Sequence, residues 1–224
     1  MKKLILSTLS VVVIAAAISS CGKSSKGKMS NDWKIESYDR TSTEVDSDGD
    51  KTVTTEVYNG SSITQTVSST TNGFTTTQTQ TATMTDPTFK IEKDGTWSTS
   101  KTMVFVQDTP NPGIKNTTTS TLTESGTWSF VGKNKDEDFK KNERVLFNTL
   151  NSSQTSSTTT TGSSIATSYS SSDTYKTGEL VQIYTVAESK KKALELTSEE
   201  ANSSTYGSNT SSNSMKSSMK LVQE

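Results

Sequence analysis

Catalytic chemistry has few places to start in this chain. Its 224 residues include no histidine and a single cysteine, Cys21. Without an imidazole there is no Ser-His-Asp or Cys-His nucleophile system and no His-bearing zinc or haem site. One thiol allows neither an internal disulfide nor a thiolate cluster. The alternate acids of Asp46-Ser47-Asp48-Gly49-Asp50 are spaced as in a calcium loop. An EF-hand loop also needs Gly at its sixth position and Glu at its twelfth, and counting from Asp46 those places hold Lys51 and Val57. The segment therefore reads as a solvated hairpin turn. Residues 133–144 (KNKDEDFKKNER) concentrate both signs of charge with only Phe139 to bury, which suits an exposed loop better than a sheltered acid/base pair. Lys190-Lys191-Lys192 reads as a solubilising turn, with contact to anionic headgroups as the alternative. No Gly-rich phosphate loop opens a helix and no serine stands in Gly-x-Ser-x-Gly. No catalytic, metal or cofactor site is expected, and a formal charge of -1 with a pI near 5.7 argues against nucleic acid as a partner.

Cys21 is the one reactive group with a recognisable setting. Lys2 and Lys3 precede an apolar run over residues 4–17, interrupted by Ser7, Thr8 and Ser10, and then comes Ile18-Ser19-Ser20-Cys21. A basic start, an apolar stretch short for a bilayer and small residues at a cleavage point are the order of a secretory signal peptide. An aliphatic residue three places before a cysteine, with small residues between, resembles the bacterial lipobox. A plain transmembrane anchor, or a cleaved signal with an incidental cysteine, is the competing reading.

The resemblance implies a diacylglyceryl group on the Cys21 sulfur, cleavage before it, and acylation of the new amino group by a palmitate-type chain. Residues 1–20 are then the signal peptide, and residues 21–31, Gly/Ser/Lys-rich, a flexible tether. More than one acyl chain, at ~0.8 kcal/mol per buried CH₂, makes a stable membrane anchor. Gly22 stands where an Asp would signal inner-membrane retention, so the resemblance implies the outer membrane, with periplasmic or surface facing open.

Any folded part of the chain must be built from very polar material. There are 39 Ser and 41 Thr, over a third of the residues, against 28% hydrophobic. Without the first 20 residues, 21 basic and 24 acidic side chains leave a charge of -3. Such a composition approaches disorder, but the apolar residues are grouped, and helix-length runs of period 3.6 are missing. Thr, Val, Ile, Phe, Tyr and Trp dominate residues 32–197, separated by the turn dipeptides Asp48-Gly49, Asn59-Gly60, Asn72-Gly73 and Asp94-Gly95. Strands are expected over residues 33–45, 51–58, 62–71, 74–85, 88–93, 96–106, 117–132, 143–151, 178–186 and 191–197. Residues 70–85, Thr alternating with Gln, Phe and Met, form either a projecting hairpin or a disordered loop. Residues 151–177, almost wholly Ser and Thr, form a hairpin extension or a long loop. Residues 198–224 read as a low-complexity tail, with a short helix a candidate at Ser198-Glu199-Glu200.

Gly-Thr-Trp-Ser occurs twice, at residues 95–98 and 126–129. Gly95 is expected to close a hairpin and Gly126 to allow a bulge, with Trp97 and Trp128 each bringing ~150–250 Å² of apolar surface to a core short of bulky residues. The order of pieces is similar to the lipocalin-like domain of bacterial lipoproteins. The resemblance runs from Trp33-Lys34-Ile35, through Phe89-Lys90-Ile91 leading to Asp94-Gly95-Thr96-Trp97, and through Gly126-Thr127-Trp128-Ser129-Phe130. It ends at Ile183-Tyr184-Thr185-Val186 and Leu194-Glu195-Leu196. It implies an all-β, antiparallel, up-and-down barrel or strongly curved sheet over residues 32–197, and no known ligand. Trp33, Phe89, Ile91, Trp97, Trp128, Phe130 and Tyr184 are the candidate core or barrel-lining residues.

The function expected from this is non-catalytic. A lipid-anchored barrel would bind a small apolar ligand, in an apolar pocket of ~300 Å³ or more, or an envelope protein. The alternative is a structural or adhesive envelope lipoprotein presenting Thr-rich hairpins.

Overall fold

The computed structural model describes residues 25–132, 143–163, 165–206 and 209–223. Cys21, the signal segment and the charged stretch 133–142 lie outside the described residues. One short helix, α1 (Ser25–Met29), leads into eleven antiparallel strands. They are β1 (Asn31–Val45), β2 (Lys51–Tyr58), β3 (Ser62–Thr71), β4 (Phe74–Ile91), β5 (Thr96–Asp108), β6 (Lys115–Gly132), β7 (Glu143–Thr160), β8 (Ala166–Thr174), β9 (Val181–Ser189), β10 (Ala193–Tyr206) and β11 (Asn209–Gln223). The chain is all-β, and its single sheet closes into an up-and-down barrel of uneven width.

The unevenness follows from the register. At the base the ring runs β1, β4, β5, β6, β7, β9, β10, β11 and back to β1, because Asn31–Lys34 pair with Ile91–Thr88 directly. Higher up, β1 leaves β4 and pairs with β2 from Tyr38↔Tyr58 to Val45↔Lys51, while β3 takes over β4 from Ser62↔Thr83 to Thr71↔Phe74. The β2–β3 hairpin is thus inserted between β1 and β4 in the upper part alone. β8 lies above β9 along the same flank of β7, with β8 on Asn151–Thr159 and β9 on Glu143–Asn148. β9 stays with β10 only up to Thr185↔Thr197. Above that level β10 pairs with β11 alone and β8 with β7 alone among the described residues, so a seam opens between β8 and β10. The mouth therefore has more strands than the base and is split.

The Ser/Thr-rich segments are strands because threonine combines strand propensity with a hydroxyl that pairs across the sheet. Along β3–β4 the pairs Thr64–Thr81 (3.2 Å), Thr66–Thr79 (3.2 Å), Ser68–Thr77 (3.0 Å) and Thr70–Thr75 (2.8 Å) form a hydroxyl ladder. Residues 70–85 are therefore a hairpin and not a loop. The strands expected at 74–85 and 88–93 are one, interrupted by a bulge where Asp86 (φ 42°) precedes Pro87.

Two expectations about the chain ends are corrected. The tail expected over residues 198–224 is strand over its described residues, and Ser198-Glu199-Glu200 is strand, not helix: residues through 206 continue β10 and residues 209–223 are β11. Met219 and Leu221, on alternate positions of β11, are buried in the core, and Ser198 and Ser217 share a buried hydroxyl hydrogen bond of 2.8 Å. Low complexity hid a strand that the ring needs for closure. Nor are residues 25–31 flexible tether. Met29 is fully buried and its carbonyl accepts the Trp33 indole N–H at 2.8 Å, docking α1 on the base.

One core fills the base: Trp33, Ile35, Phe89, Ile91, Trp97, Trp128, Val145, Phe147, Leu194, Leu196 and Leu221 are all buried within it. The two Gly-Thr-Trp-Ser segments lie antiparallel against each other, Trp97 opposite Gly126 and Thr96 opposite Thr127, with the Trp128 amide donating to the Gly95 carbonyl at 2.7 Å. Each tryptophan is thereby set against the other motif's glycine. Gly126 sits at the expected bulge, and a Cβ there would stand 1.9 Å from the Asn148 carbonyl oxygen.

Candidate binding cavity in the barrel

Above the filled base the interior holds a partly open cavity of about 190 Å³. Its floor is aromatic. Phe89 and Trp97 stack at 5.5 Å, and Phe147 meets both edge-on at 5.3 and 5.4 Å and Tyr184 at 5.8 Å. Edge-to-face and offset arrangements of this kind are what the ring quadrupole favours. Trp97 is further fixed by its indole N–H, which donates to the Asn148 carbonyl at 3.3 Å.

The walls are polar. β1 contributes Tyr38 and Arg40, β5 contributes Thr99 and Lys101, β6 contributes Leu122 and Glu124, β9 contributes Gln182 and Tyr184, and β11 contributes Met215 and Ser217. Residues two apart on a strand share a face, so each pair points inward together. Lys101 Nζ lies 5.9 Å from the centroid of the Tyr38 ring, within cation–π range. Arg40 Nη1 is 3.8 Å from Glu56, a long ion pair, and Glu56 also accepts from Gln65 Nε2 at 3.0 Å. Two cations from different flanks of the barrel thus converge on Tyr38. Among the described residues no carboxylate lies within 4.0 Å of Lys101, and Glu124 has no ion pair. Burial pushes the Tyr184 phenol up to about 12, with a Ser217 hydrogen bond and Arg40 opposing the rise, and burial raises Tyr38 as well against the pull of Arg40. Both phenols are neutral hydroxyls at physiological pH, and Tyr184 Oη donates to Gln182 Oε1 at 3.2 Å.

Of the seven candidate lining residues, Phe89, Trp97 and Tyr184 reach this cavity. Trp33, Ile91 and Trp128 are buried in the base, and Phe130 packs partly buried against it. The cavity is smaller and more polar than the apolar pocket expected. Arg40, Lys101 and Glu124 are the inward residues that make it so, and sequence reading passed over them. Their signal was alternation: Lys101 is in phase with Met103 and Phe105, and Glu124 with Leu122 and Trp128.

The charged segments 46–50 and 190–192 stay outside this site. Asp46 Oδ1 accepts the amides of Asp48 and Asp50, both at 2.9 Å, in an exposed turn. Lys190 closes the β9–β10 turn and pairs with Glu188 at the surface. That turn is at the base, the end from which the chain enters β1: Lys192 O accepts the amide of Gln223, whose Cα partner is Trp33. Comparison with protein-family models, curated proteins and solved structures yields no match to this chain.

Proposed function

We propose that the chain is a lipid-anchored, non-catalytic envelope protein of lipocalin-like type whose barrel binds a small ligand. The observation that carries this reading is the cavity of about 190 Å³ set between an aromatic floor and polar walls inside the barrel. Pockets for drug-sized ligands run from ~300 Å³ upward, so the occupant here is small. The entry of the chain at the base supports a definite posture. With acyl chains on Cys21, a few residues before α1, the base faces an outer-membrane leaflet and the mouth points away from it. The anchor is tested by metabolic labelling with a fatty-acid probe in cells that express the parent and Cys21→Ala: the parent takes up label and the variant does not, and an unlabelled parent would refute lipidation. Ligand binding is tested by calorimetric titration of the purified protein with small aromatic compounds, and silence across neutral, anionic and cationic members would count against a binding role for the barrel.

A structural or adhesive role presenting Thr-rich hairpins is the second reading. It is favoured by the long free edges of β8 and upper β10 and by the exposed Phe74 and Ile165 at the β3–β4 and β7–β8 tips. Unpaired strand edges are templates for strand addition by a partner.

A further inference from the structure

Resting on the ligand-binding reading, we propose that the cavity takes a small aromatic zwitterion, the class of an aromatic α-amino acid. The ring would lie on Phe89, Trp97 and Phe147, the carboxylate between Arg40 and Lys101, and the ammonium at Glu124. Three independent features of the cavity ask for these three parts. Its floor is a cluster of mutually edge-on and stacked rings with centroids 5.3–5.8 Å apart, whose margins line the cavity. Its two cations meet at Tyr38, Lys101 through the ring face at 5.9 Å and Arg40 two residues along the same face of β1. Converging like charges are unfavourable unless an anion stands between them, and of the two cations Glu56 pairs with Arg40 alone, at 3.8 Å. The third feature is Glu124. The register pairs Thr99 with Glu124 and Lys101 with Leu122, so Lys101 and Glu124 are diagonal neighbours on one face of β5 and β6. Diagonal positions lie ~7–8 Å apart, room for the adjacent carboxylate and ammonium of an α-amino acid to bridge two side chains that do not pair with each other.

Size agrees with this class. About 190 Å³ admits a single ring with a two- or three-carbon head, and an acyl chain or a polycyclic ligand would extend out of it. The charges also define what is rejected. A neutral aromatic would fill the floor and leave the half-buried Lys101 and Glu124 without the charge-assisted partners that a zwitterion supplies. An aromatic anion would satisfy the cations and confront Glu124.

The test is titration of the purified full-length protein in detergent with L-phenylalanine, phenylacetate, phenethylamine and benzyl alcohol, followed by calorimetry and by tryptophan emission. L-Phenylalanine is expected to bind about tenfold or more tightly than each of the other three, the size of one charge-assisted hydrogen bond. Lys101→Met is expected to weaken it by about tenfold, and Glu124→Gln to bring L-phenylalanine and phenylacetate to equal affinity. Both positions are only partly buried, so the variants are expected to fold, and an unchanged circular dichroism melt verifies it. Benzyl alcohol binding as well as L-phenylalanine, or affinity indifferent to both substitutions, would overturn the zwitterion and leave a ligand-binding barrel standing. Failure of all four probes at millimolar concentration would overturn the zwitterion and the ligand-binding reading together.

Discussion

Gly126→Ala is the substitution that most directly probes how the two Gly-Thr-Trp-Ser segments hold the barrel. A Cβ at this position would be 1.9 Å from the Asn148 oxygen, 2.9 Å from its carbon and 3.0 Å from the Leu150 amide nitrogen. All three are backbone atoms of β7, so no side chain can swing away. Relief to an acceptable 3.0 Å contact requires β6 and β7 to part by at least about 1 Å at the bulge. Overpacking of this kind costs ~1–3 kcal/mol. Moving Asn148 also strains its carbonyl's acceptance of the Trp97 indole N–H, worth ~1 kcal/mol. Against this stands the reduced freedom of the unfolded chain on replacing glycine, ~0.4–1 kcal/mol in favour of the variant. The net loss is about 1–3.6 kcal/mol, or a fall in Tm of about 2–14 °C at ~2–4 °C per kcal/mol for a chain of this size. Urea unfolding followed by tryptophan emission and by far-ultraviolet circular dichroism measures it. Gly73→Ala is the control, with open space around the new methyl and only its positive φ of 80° to oppose it. If Gly126→Ala unfolds within 0.5 kcal/mol of the parent (a limit set by ordinary surface substitutions, ~0.5 kcal/mol), the close-approach argument is wrong.

Two further outcomes are expected. Trp33→Phe keeps most of the buried ring but removes the 2.8 Å hydrogen bond that docks α1, which should cost ~1–2 kcal/mol and expose residues 25–29 to hydrogen exchange; unchanged protection there would mean that the indole bond is not what holds the helix. Stability should also fall in alkali: the Tyr184 pKa is raised to about 12 from an unfolded value near 10, so its contribution is intact below about pH 10 and is lost as pH climbs through about 12. Tyr38 acts in the same direction. Tyr184→Phe should flatten the decline in urea midpoint across that window, and an unaltered slope would discount the buried phenol.

The legible part of the fold was the part where local chemistry is distinctive. Asn59-Gly60, Asn72-Gly73 and Asp94-Gly95 all close hairpins, and the strands beginning at Lys51, Ser62, Phe74 and Thr96 start where their turns place them. The paired motifs of residues 95–98 and 126–129 pointed to a shared core. β11 escaped notice, and β8 was one of two alternatives for residues 151–177, the hairpin extension; both strands are Ser/Thr-rich, and their order comes from neighbours rather than from their own composition. β11 is held on one side by β1 along most of its length and on the other by β10. The insertion of β2–β3 was equally hidden, because the direct pairing of Trp33 with Phe89 is a long-range register that no local signal announces. The cavity charges were hidden for a related reason: Arg40 and Glu124 look like surface residues until the strands bearing them curl around a common axis.

The extra hairpin acts as a wedge. Each strand adds ~4.8 Å of circumference, so two more strands in the upper wall demand ~10 Å of perimeter that the eight-membered base does not supply. A ring forced to carry different circumferences at its two ends must flare or tear, and this one tears along the line above Thr185 and Thr197, where β9 and β10 part. The tear is survivable because the torn margins are mostly polar, Ser and Thr along β8 and Ser, Glu and Asn along upper β10, and water can serve them. Read this way, the polar composition is the condition under which a small barrel can be driven open from one side and still keep its opened margins hydrated. Shortening the wedge, with β1 and β4 left to zip together over their full length, would trade the wide mouth for a closed tube.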